Sequence, residues 1–275
     1  MEKALSPPDS RPTALSVIIT TKNNASTIRE CVRRVLDAPP KDKEVLIVYG
    51  RSKDGTEQIT SEYRERASIF QDNIGTGSAI NTGVLHSRGS IIFFVEGHSF
   101  VSPSIFTKAL EAFEKDDKAG YVVFRRYVPP GFRGNKVQEL LNLWRRITHD
   151  ERGRAPVVGQ FRAFRRETFF DVGGFWIFPR GADDLEFATR VVGKGWRMVV
   201  LEDPSWDFPR GSYEELFKHE LKKGSSEYMW YETYKNTPYA LVAYGSKGRC
   251  LKKPSRIVFY NIFIRRILFA PYYAV

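Results

Sequence analysis

Short apolar runs rich in β-branched residues alternate with helix-forming segments through the first half of the chain. Four of these runs are Leu15–Thr21, Glu44–Val48, Ile91–Val95 and Tyr121–Phe124. Continuous apolar runs of this length indicate strands that are buried on both faces of a sheet. Strands that alternate with helices pair in parallel and are joined by right-handed crossovers. We therefore predict an α/β fold with a doubly wound, mostly parallel sheet and helices on both faces.

The composition is that of a folded intracellular domain. Hydrophobic residues form 42% of the 275, which excludes a disordered or fibrous chain. The two cysteines, Cys31 and Cys250, cannot build a disulfide framework and favour a reducing compartment. The N-terminus lacks the apolar stretch of a secretory signal, and no apolar run is long enough to span a bilayer. We therefore expect a cytoplasmic protein.

The net charge of +11 favours an anionic partner, such as nucleotide phosphates, a nucleic acid or an acidic membrane surface. The basic residues are dispersed along the chain, and no signature of RNA or DNA binding accompanies them. We therefore expect no nucleic-acid partner.

Polar motifs follow several of the predicted strands. In open α/β sheets, ligands bind beyond the carboxyl ends of the strands, so these motifs are candidates for one site. They are Thr20-Thr21-Lys22-Asn23, Tyr49 to Thr56, Glu96-Gly97-His98, and the acidic pair Asp183-Asp184 after Gly173-Gly174-Phe175.

With their flanking residues, these motifs resemble the inverting glycosyltransferases of family 2, which have the GT-A fold. The matching segments are LSVIITTKNNASTI, EVLIVYGRSKDGT, NIGTGSAINTGVLHSRGSIIFFVEG and VGGFWIFPRGADDLEFATRVVGKGWRM. Their order and spacing are specific, whereas each segment alone is common. The resemblance implies an enzyme that transfers a sugar from a nucleotide-sugar donor to a hydroxyl of a lipid-linked or glycan acceptor.

The resemblance also divides the chain. It implies a GT-A domain over residues 14–232, with a nucleotide-sugar-binding half (14–126) and an acceptor half (127–232). A flexible segment over residues 1–13 precedes this domain. Residues 233–275 form an amphipathic, aromatic extension that we expect to be helical.

On the donor side, the resemblance implies that Thr20, Thr21 and Lys22 line the base and the ribose. Tyr49 stands where the family usually has an acidic residue. A phenol can stack on a base or donate a hydrogen bond, but it cannot accept two donors as a carboxylate does. Asn81 lies in the segment that resembles the family's donor-side loop and helix. An ordinary strand end with a capped helix remains the alternative for Thr20, Thr21 and Lys22, and Asn81 could fix the loop by hydrogen bonds.

The family's metal motif, Asp-x-Asp, is replaced here by Glu96-Gly97-His98. In the family, a divalent ion neutralises the charge of the leaving diphosphate. The resemblance therefore implies a Mn²⁺ or Mg²⁺ site with Glu96 and His98 as ligands, Glu96 and Gly97 also lying near the donor. Imidazole favours Mn²⁺ over Mg²⁺. Asp207 follows the strand after which many relatives carry a metal-binding histidine, and is the third candidate ligand.

By position in the family's acidic motif, Asp184 would be the general base that takes the proton of the acceptor hydroxyl. Gly173, Gly174 and Asp183 would lie on the acceptor side, and Trp230 would stack against an acceptor sugar. The alternative for the two acids is that they cap a helix, because carboxylates are stabilised at a helix N-terminus.

The altered residues leave a second function open. Tyr49 and the Glu96-Gly97-His98 motif are also compatible with a catalytically degenerate GT-A domain that serves as a nucleotide-binding or scaffold subunit.

The segment Lys252–Val275 is apolar and aromatic, interrupted by Arg265-Arg266. Such a segment can lie in a membrane interface, with its arginines reaching the headgroups. It could equally pack on the domain or on a partner. Peripheral contact with the cytoplasmic face of a membrane is therefore an expectation that fits a lipid-linked acceptor.

Overall fold

The computed structural model describes residues 14–124, 161–177 and 183–207, together with residue 233. The strands in these ranges are β1 (Leu15–Thr21), β2 (Glu44–Tyr49), β3 (Ser68–Gln71), β4 (Ile91–Glu96), β5 (Ser99–Phe100), β6 (Ala119–Phe124), β7 (Arg162–Arg165), β8 (Arg197–Leu201) and β9 (Trp206–Asp207). The helices are α1 (Ile28–Asp37), α2 (Thr56–Ser61), α3 (Thr76–His86), α4 (Ile105–Lys115), α5 (Arg166–Val172) and α6 (Asp183–Gly193).

The main sheet has seven strands in the order β3-β2-β1-β4-β7-β6-β8. Every neighbouring pair is parallel except the two that involve β7, which runs antiparallel to β4 and to β6. The predicted mostly parallel α/β sheet is thus confirmed. Because β7 is reversed, its first residue lies at the edge where the parallel strands end.

Two further contacts complete the edge of the sheet. Strands β5 and β9 form a separate antiparallel pair, in which Ser99 lies opposite Asp207. The ends of β6 and β7 are joined where the Phe124 amide donates to the Phe161 carbonyl, at 3.1 Å. The chain therefore leaves β6 and enters β7 at the same edge.

Both faces of the sheet are covered by apolar side chains, which explains the continuous apolar runs of the strands. Val17 and Ile19 of β1 pack in a cluster with residues of α1 and α4. Ile18, on the opposite face of β1, packs in a second cluster with residues of α3 and α6. The core therefore consists of two layers separated by the sheet.

Helix α3 lies very close to β1. A Cβ placed on Gly83 of α3 would come within 2.6 Å of Cγ2 of Ile18, which is fully buried. Gly75, at the start of the same helix, has no atom within 4 Å of its added Cβ. Only a residue without a side chain fits between the sheet and the middle of α3.

The predicted C-terminal extension and Trp230 lie outside the described residues, as does the segment over residues 1–13. None of the helices in the described ranges combines the length and the apolar character needed to cross a bilayer.

We predict that Gly83→Ala lowers the free energy of unfolding by about 1–3 kcal/mol, because the added methyl group clashes with the buried Ile18. Urea denaturation measures the change. The matched substitution Gly75→Ala adds a methyl group in open space at the N-cap of α3, so it should cost only a smaller capping penalty of about 0.5 kcal/mol. Equal stability of the two variants would contradict this account of the packing.

Candidate active site

The segments that follow β1 and β2 are joined by hydrogen bonds between main-chain and side-chain groups. The Asn23 amide donates to Oγ of Ser52 at 3.1 Å, and the Lys53 amide donates to Oδ1 of Asn23 at 2.9 Å. Oγ1 of Thr21 donates to Oδ1 of Asn24 at 3.1 Å. Asn23 has a φ of 53°, a left-handed conformation that asparagine tolerates better than most residues. The two segments therefore form one preorganised wall.

Asp54 shapes the turn after β2. One oxygen accepts the Ala25 amide at 2.9 Å, and the other accepts Oγ1 of Thr56 at 2.6 Å. Burial works against the charge of Asp54, but these hydrogen bonds lower its pKa overall. The carboxylate is thus occupied within the protein.

Tyr49 points toward α2 rather than toward the rest of the site. Its hydroxyl donates to Oε1 of Glu57 at 3.2 Å, and burial together with this bond raises the pKa of Tyr49. Tyr49 pairs with Thr21 across β2 and β1, whereas Thr20 pairs with Glu96 across β1 and β4. Because successive side chains of a strand point to opposite faces of the sheet, Tyr49 lies on the opposite face from Thr20 and Glu96. The structure therefore separates Tyr49 from these two predicted donor-binding residues.

The end of β4 lies tightly against the end of β1. The Gly97 amide donates to the Thr20 carbonyl at 2.8 Å, which extends the parallel ladder by one bond. A Cβ on Gly97 would come within 2.4 Å of Oγ1 of Thr21. Gly97 therefore allows the chain to turn out of the sheet directly beside Thr20 and Thr21.

Glu96 and His98 lie together beyond the end of β4. Nε2 of His98 is 3.2 Å from Oε2 of Glu96, and both side chains are partly exposed. Two ligands of one octahedral Mn²⁺ or Mg²⁺ ion lie about 3 Å apart, so this pair has the spacing of adjacent ligands. The backbone of Asp207 lies opposite Ser99, the residue after His98. In the described part of the chain, no three His, Cys, Asp or Glu side chains form a group that could hold a metal ion.

The segment Gly173-Gly174-Phe175 is fixed by hydrogen bonds to α3 and to α6. Asn81 of α3 donates to the Phe175 carbonyl at 2.8 Å and accepts the Phe175 amide at 2.9 Å. Arg190 of α6 donates to the Gly174 carbonyl at 2.7 Å. Both glycines have positive φ values, 83° and 73°. Asn81 and Arg190 thus act on this segment as structural anchors, whatever contact Asn81 makes with a donor.

Gly77 brings the start of α3 against the acidic pair. A Cβ on Gly77 would come within 2.6 Å of the Trp176 carbonyl oxygen and 3.6 Å of Cβ of Asp183. The Gly-rich segment on the donor side therefore lies in direct contact with the residues predicted for the acceptor side.

Asp183 and Asp184 open helix α6 in different environments. Asp183 is 8% exposed, and burial, followed by the neighbouring charge of Asp184, raises the pKa of Asp183 to about 6. The Asp184 side chain is 16% exposed, and its Oδ1 accepts the Leu185 amide at 2.8 Å. Of the two acids, Asp184 is therefore the one that is more open to a substrate.

Arg162, the first residue of β7, is a site residue that the sequence motifs did not indicate. Its side chain is 5% exposed, and Nη1 lies 3.8 Å from Oδ2 of Asp184. Its guanidinium lies over the Phe94 ring, 4.7 Å from the ring centroid. Burial disfavours the charge of Arg162, but Tyr121 and the acids around it keep its pKa above the ordinary value. A lone arginine in a strand usually indicates an exposed charge, so sequence reasoning had no signal for its burial.

The structure places Asp184 3.8 Å from Arg162, with Asp183 as its neighbour, and puts Glu96 on the same face of the sheet, two residues after Phe94, which pairs with Arg162. The charges of all three acids raise the pKa of Arg162, and Glu96 also raises that of Asp183. Carboxyl groups therefore outnumber the one buried guanidinium at this edge of the sheet, and a carboxylate here is a candidate for a base.

Residues 16–185 match the family described as Glycosyl transferase family 2. Among curated proteins, the chain is 29% identical over 167 residues to an uncharacterized glycosyltransferase, EpsJ, of Bacillus subtilis. The match covers 56% of this chain and 48% of EpsJ, so this chain spans about half the length of that relative. It is 26% identical to the glycosyltransferase AglE of Haloferax volcanii, over 78% of this chain and 72% of AglE.

Solved structures share the fold at lower identity. The mannosyltransferase PcManGT of Pyrobaculum calidifontis, in complex with GDP-Man and Mn²⁺, has a TM-score of 0.61 at 20% identity, over 92% of this chain and 70% of PcManGT. Glucosyl-3-phosphoglycerate synthase of Mycobacterium tuberculosis, in complex with Mn²⁺, UDP and phosphoglyceric acid, has a TM-score of 0.58 at 15% identity, over 80% of this chain and 78% of the synthase. With these glycosyltransferases the chain shares the GT-A type of fold. Because the family match covers more than half of its residues, the chain belongs to glycosyl transferase family 2.

Proposed function

We propose that this chain is an inverting glycosyltransferase that transfers a sugar from a nucleotide-sugar donor to an acceptor hydroxyl, with Asp184 as the general base. One observation carries the proposal: at the carboxyl edge of the sheet, the buried Arg162 lies 3.8 Å from Asp184 and on the same face as Glu96, which follows its partner Phe94 by two residues. Donor-side and acceptor-side residues thus share one charged cluster. We assign residues 14–126 to donor binding and residues 127–232 to the acceptor.

For the donor, we propose that Thr20, Thr21 and Lys22 line the base and ribose, next to Gly97 and Glu96. The wall formed by the segments after β1 and β2 supports this assignment, because hydrogen bonds between the two segments fix its shape. Preorganised groups lose less entropy when a ligand binds. For Tyr49 we propose only an indirect role, because its side chain points toward α2 and its hydroxyl donates to Glu57. Asn81 would act indirectly, through the segment that it anchors.

For the metal, we propose Mn²⁺ or Mg²⁺ held by Glu96 and His98, with Asp207 as a third ligand. Two features fit: the 3.2 Å separation of the Glu96 and His98 atoms, and the position of Asp207 opposite Ser99. A carboxylate with an imidazole suits Mn²⁺ in particular, and PcManGT was solved with Mn²⁺ and GDP-Man. When bound, the cation would offset the negative charge of the departing nucleoside diphosphate.

For the reaction, we propose that Asp184 accepts the proton of the acceptor hydroxyl as that oxygen attacks the anomeric carbon. The attack comes from the face opposite the leaving diphosphate, so the configuration inverts. Asp184 suits this role because it is ionisable, partly open to a substrate and fixed at the start of a helix. Asp183 is nearly buried, which favours a role in shaping the acceptor side together with Gly173 and Gly174.

The acceptor that we propose is a lipid-linked or glycan hydroxyl, with Trp230 stacking on an acceptor sugar. The C-terminal segment over residues 252–275 would bring the enzyme to a membrane that carries such an acceptor. Its apolar and aromatic composition supports this proposal.

We predict that Asp184→Asn keeps nucleoside-diphosphate binding and lowers transfer by about 10²–10⁴-fold, because the amide cannot accept the proton. Calorimetry with UDP and GDP in the presence of Mn²⁺, and a transfer assay with the donor identified by that screen, measure the two effects. The matched variant Asp117→Asn alters an exposed acid just before β6, at the opposite edge of the sheet, and should not affect transfer. Unchanged turnover in Asp184→Asn would refute its role as the base.

We predict that His98→Ala removes most of the gain in nucleoside-diphosphate affinity that Mn²⁺ provides, because a proposed ligand is lost. Titrations with and without Mn²⁺ measure the gain. The control is His86→Ala, since His86 is exposed at the far end of α3, where it packs on Phe70. If wild-type protein binds no nucleoside diphosphate with or without Mn²⁺, the catalytically degenerate scaffold becomes the better description.

We predict that full-length protein floats with liposomes containing acidic lipids, and that Phe263→Glu with Ile267→Glu abolishes flotation by placing charges on the apolar surface. Exposed Leu85→Glu, within α3, serves as the control for an added charge elsewhere. Equal flotation of wild type and the double variant would argue against the membrane contact.

A further inference from the structure

Arg162, the first residue of β7, differs from Arg165, the last residue of β7, and from Arg166, the first residue of α5. Arg165 donates to the carbonyls of Ala119 and Phe113, and Arg166 donates to the carbonyls of Gly89 and others, so both guanidinium groups are bound by main-chain oxygens. Among the described residues, by contrast, neither Nε nor Nη1 of Arg162 has a hydrogen-bond partner. Burying donors without acceptors is costly, which points to a role for Arg162 in the chemistry of the site.

The groups that face Arg162 come from three neighbouring elements. They are Asp183 and Asp184 of α6, Glu96 of β4 with His98 beside it, and the buried hydroxyl of Tyr121 of β6. The nearest carboxylate is that of Asp184, with Oδ2 at 3.8 Å from Nη1. The distance is too long for a hydrogen bond but short enough for a strong interaction between charges.

The acids would oppose one another's charge without this guanidinium. Neighbouring carboxylates each make ionisation of the other harder, and burial adds to the effect. Asp183 already has its pKa raised to about 6, and Arg162 is the nearby group that limits this rise. A general base must be ionised to accept a proton. The guanidinium is therefore placed where the acid pair needs a positive charge.

We propose that Arg162 is a positioning residue that supplies the positive charge beside the Asp183-Asp184 pair and orients the Asp184 carboxylate for proton transfer. The proposal rests on the proposed role of Asp184 as the base. Arg162 acts through the acid pair and does not itself touch the donor. Its burial keeps its charge from being screened by solvent, and the Phe94 ring beneath it fixes its plane.

The same unbonded N–H groups could instead bind an anionic group of a substrate. The surrounding charges favour the first role, because Glu96, Asp183 and Asp184 outnumber the one guanidinium and would repel a phosphate or carboxylate at this point. The two roles make different predictions, since an anion-binding arginine would affect ligand affinity rather than the charge of the acids.

The test uses the full chain with ¹³C-labelled aspartate carboxyl groups. The Asp183 signal is assigned by its loss in Asp183→Asn, and its titration is followed by NMR without metal or donor. In wild type it should titrate near pH 6. In Arg162→Met the midpoint should rise by about one pH unit or more, because the opposing positive charge is gone, while Arg162→Lys should stay near wild type. A second neutral variant, Arg162→Gln, serves if Arg162→Met does not fold.

Two readouts separate this proposal from the proposed function. Binding of UDP or GDP with Mn²⁺ should be the same in Arg162→Met as in wild type. In the profile of transfer activity against pH, the rise on the acidic side should move to higher pH in Arg162→Met. The charge control is Arg33→Met, since Arg33 is exposed on α1 and paired with Glu30. An unchanged Asp183 midpoint in Arg162→Met would overturn the proposal, as would loss of nucleotide binding without a change in midpoint. Failure of the wild-type protein to bind any nucleotide would contradict the proposed function. The Asp183 midpoint measured by NMR would still decide the role of Arg162.

Discussion

A sheet that is buried on both faces confines the polar chemistry of this protein to one edge. Ile18 and Ile19 are fully buried on opposite sides of β1, so the middle of this strand offers no polar surface on either face. At the carboxyl edge the strands end, and Gly97 lets the chain turn out of β4 without a clash. Glu96, Thr20 and the start of reversed β7 meet there. The placement of the charged cluster therefore follows from the packing of the two core layers.

Helix α3 connects the segments that we propose for the donor and the acceptor sides. Its start contacts Trp176 and Asp183 through Gly77, and its Asn81 holds Phe175 by two hydrogen bonds. Arg190 binds the same segment from the other side. These contacts fix the segment around Phe175 relative to α3 and α6.

The sequence predicted the elements whose signals are local. The apolar run Leu15–Thr21 became β1 with the same bounds, and the paired acids do open a helix. The reversal of β7 could not be predicted, because strand direction depends on pairing with β4 and β6 rather than on the residues within it. The burial of Arg162 was missed for the same reason. Its environment comes from Asp184 and Glu96, which lie far away in sequence, so no local pattern distinguishes it from an exposed arginine. The engagement of Tyr49 with Glu57 likewise depends on how α2 packs beside β2.

The hydrogen bond between Phe124 and Phe161 has a consequence for the length of the segment between them. It holds the two points between which residues 125–160 are inserted, and both points lie at the edge that carries the charged cluster. Entropy of closure grows only slowly with length when the ends are fixed. A change in the length of this stretch therefore costs little closure entropy, while the bond between Phe124 and Phe161 keeps β6 and β7 in register.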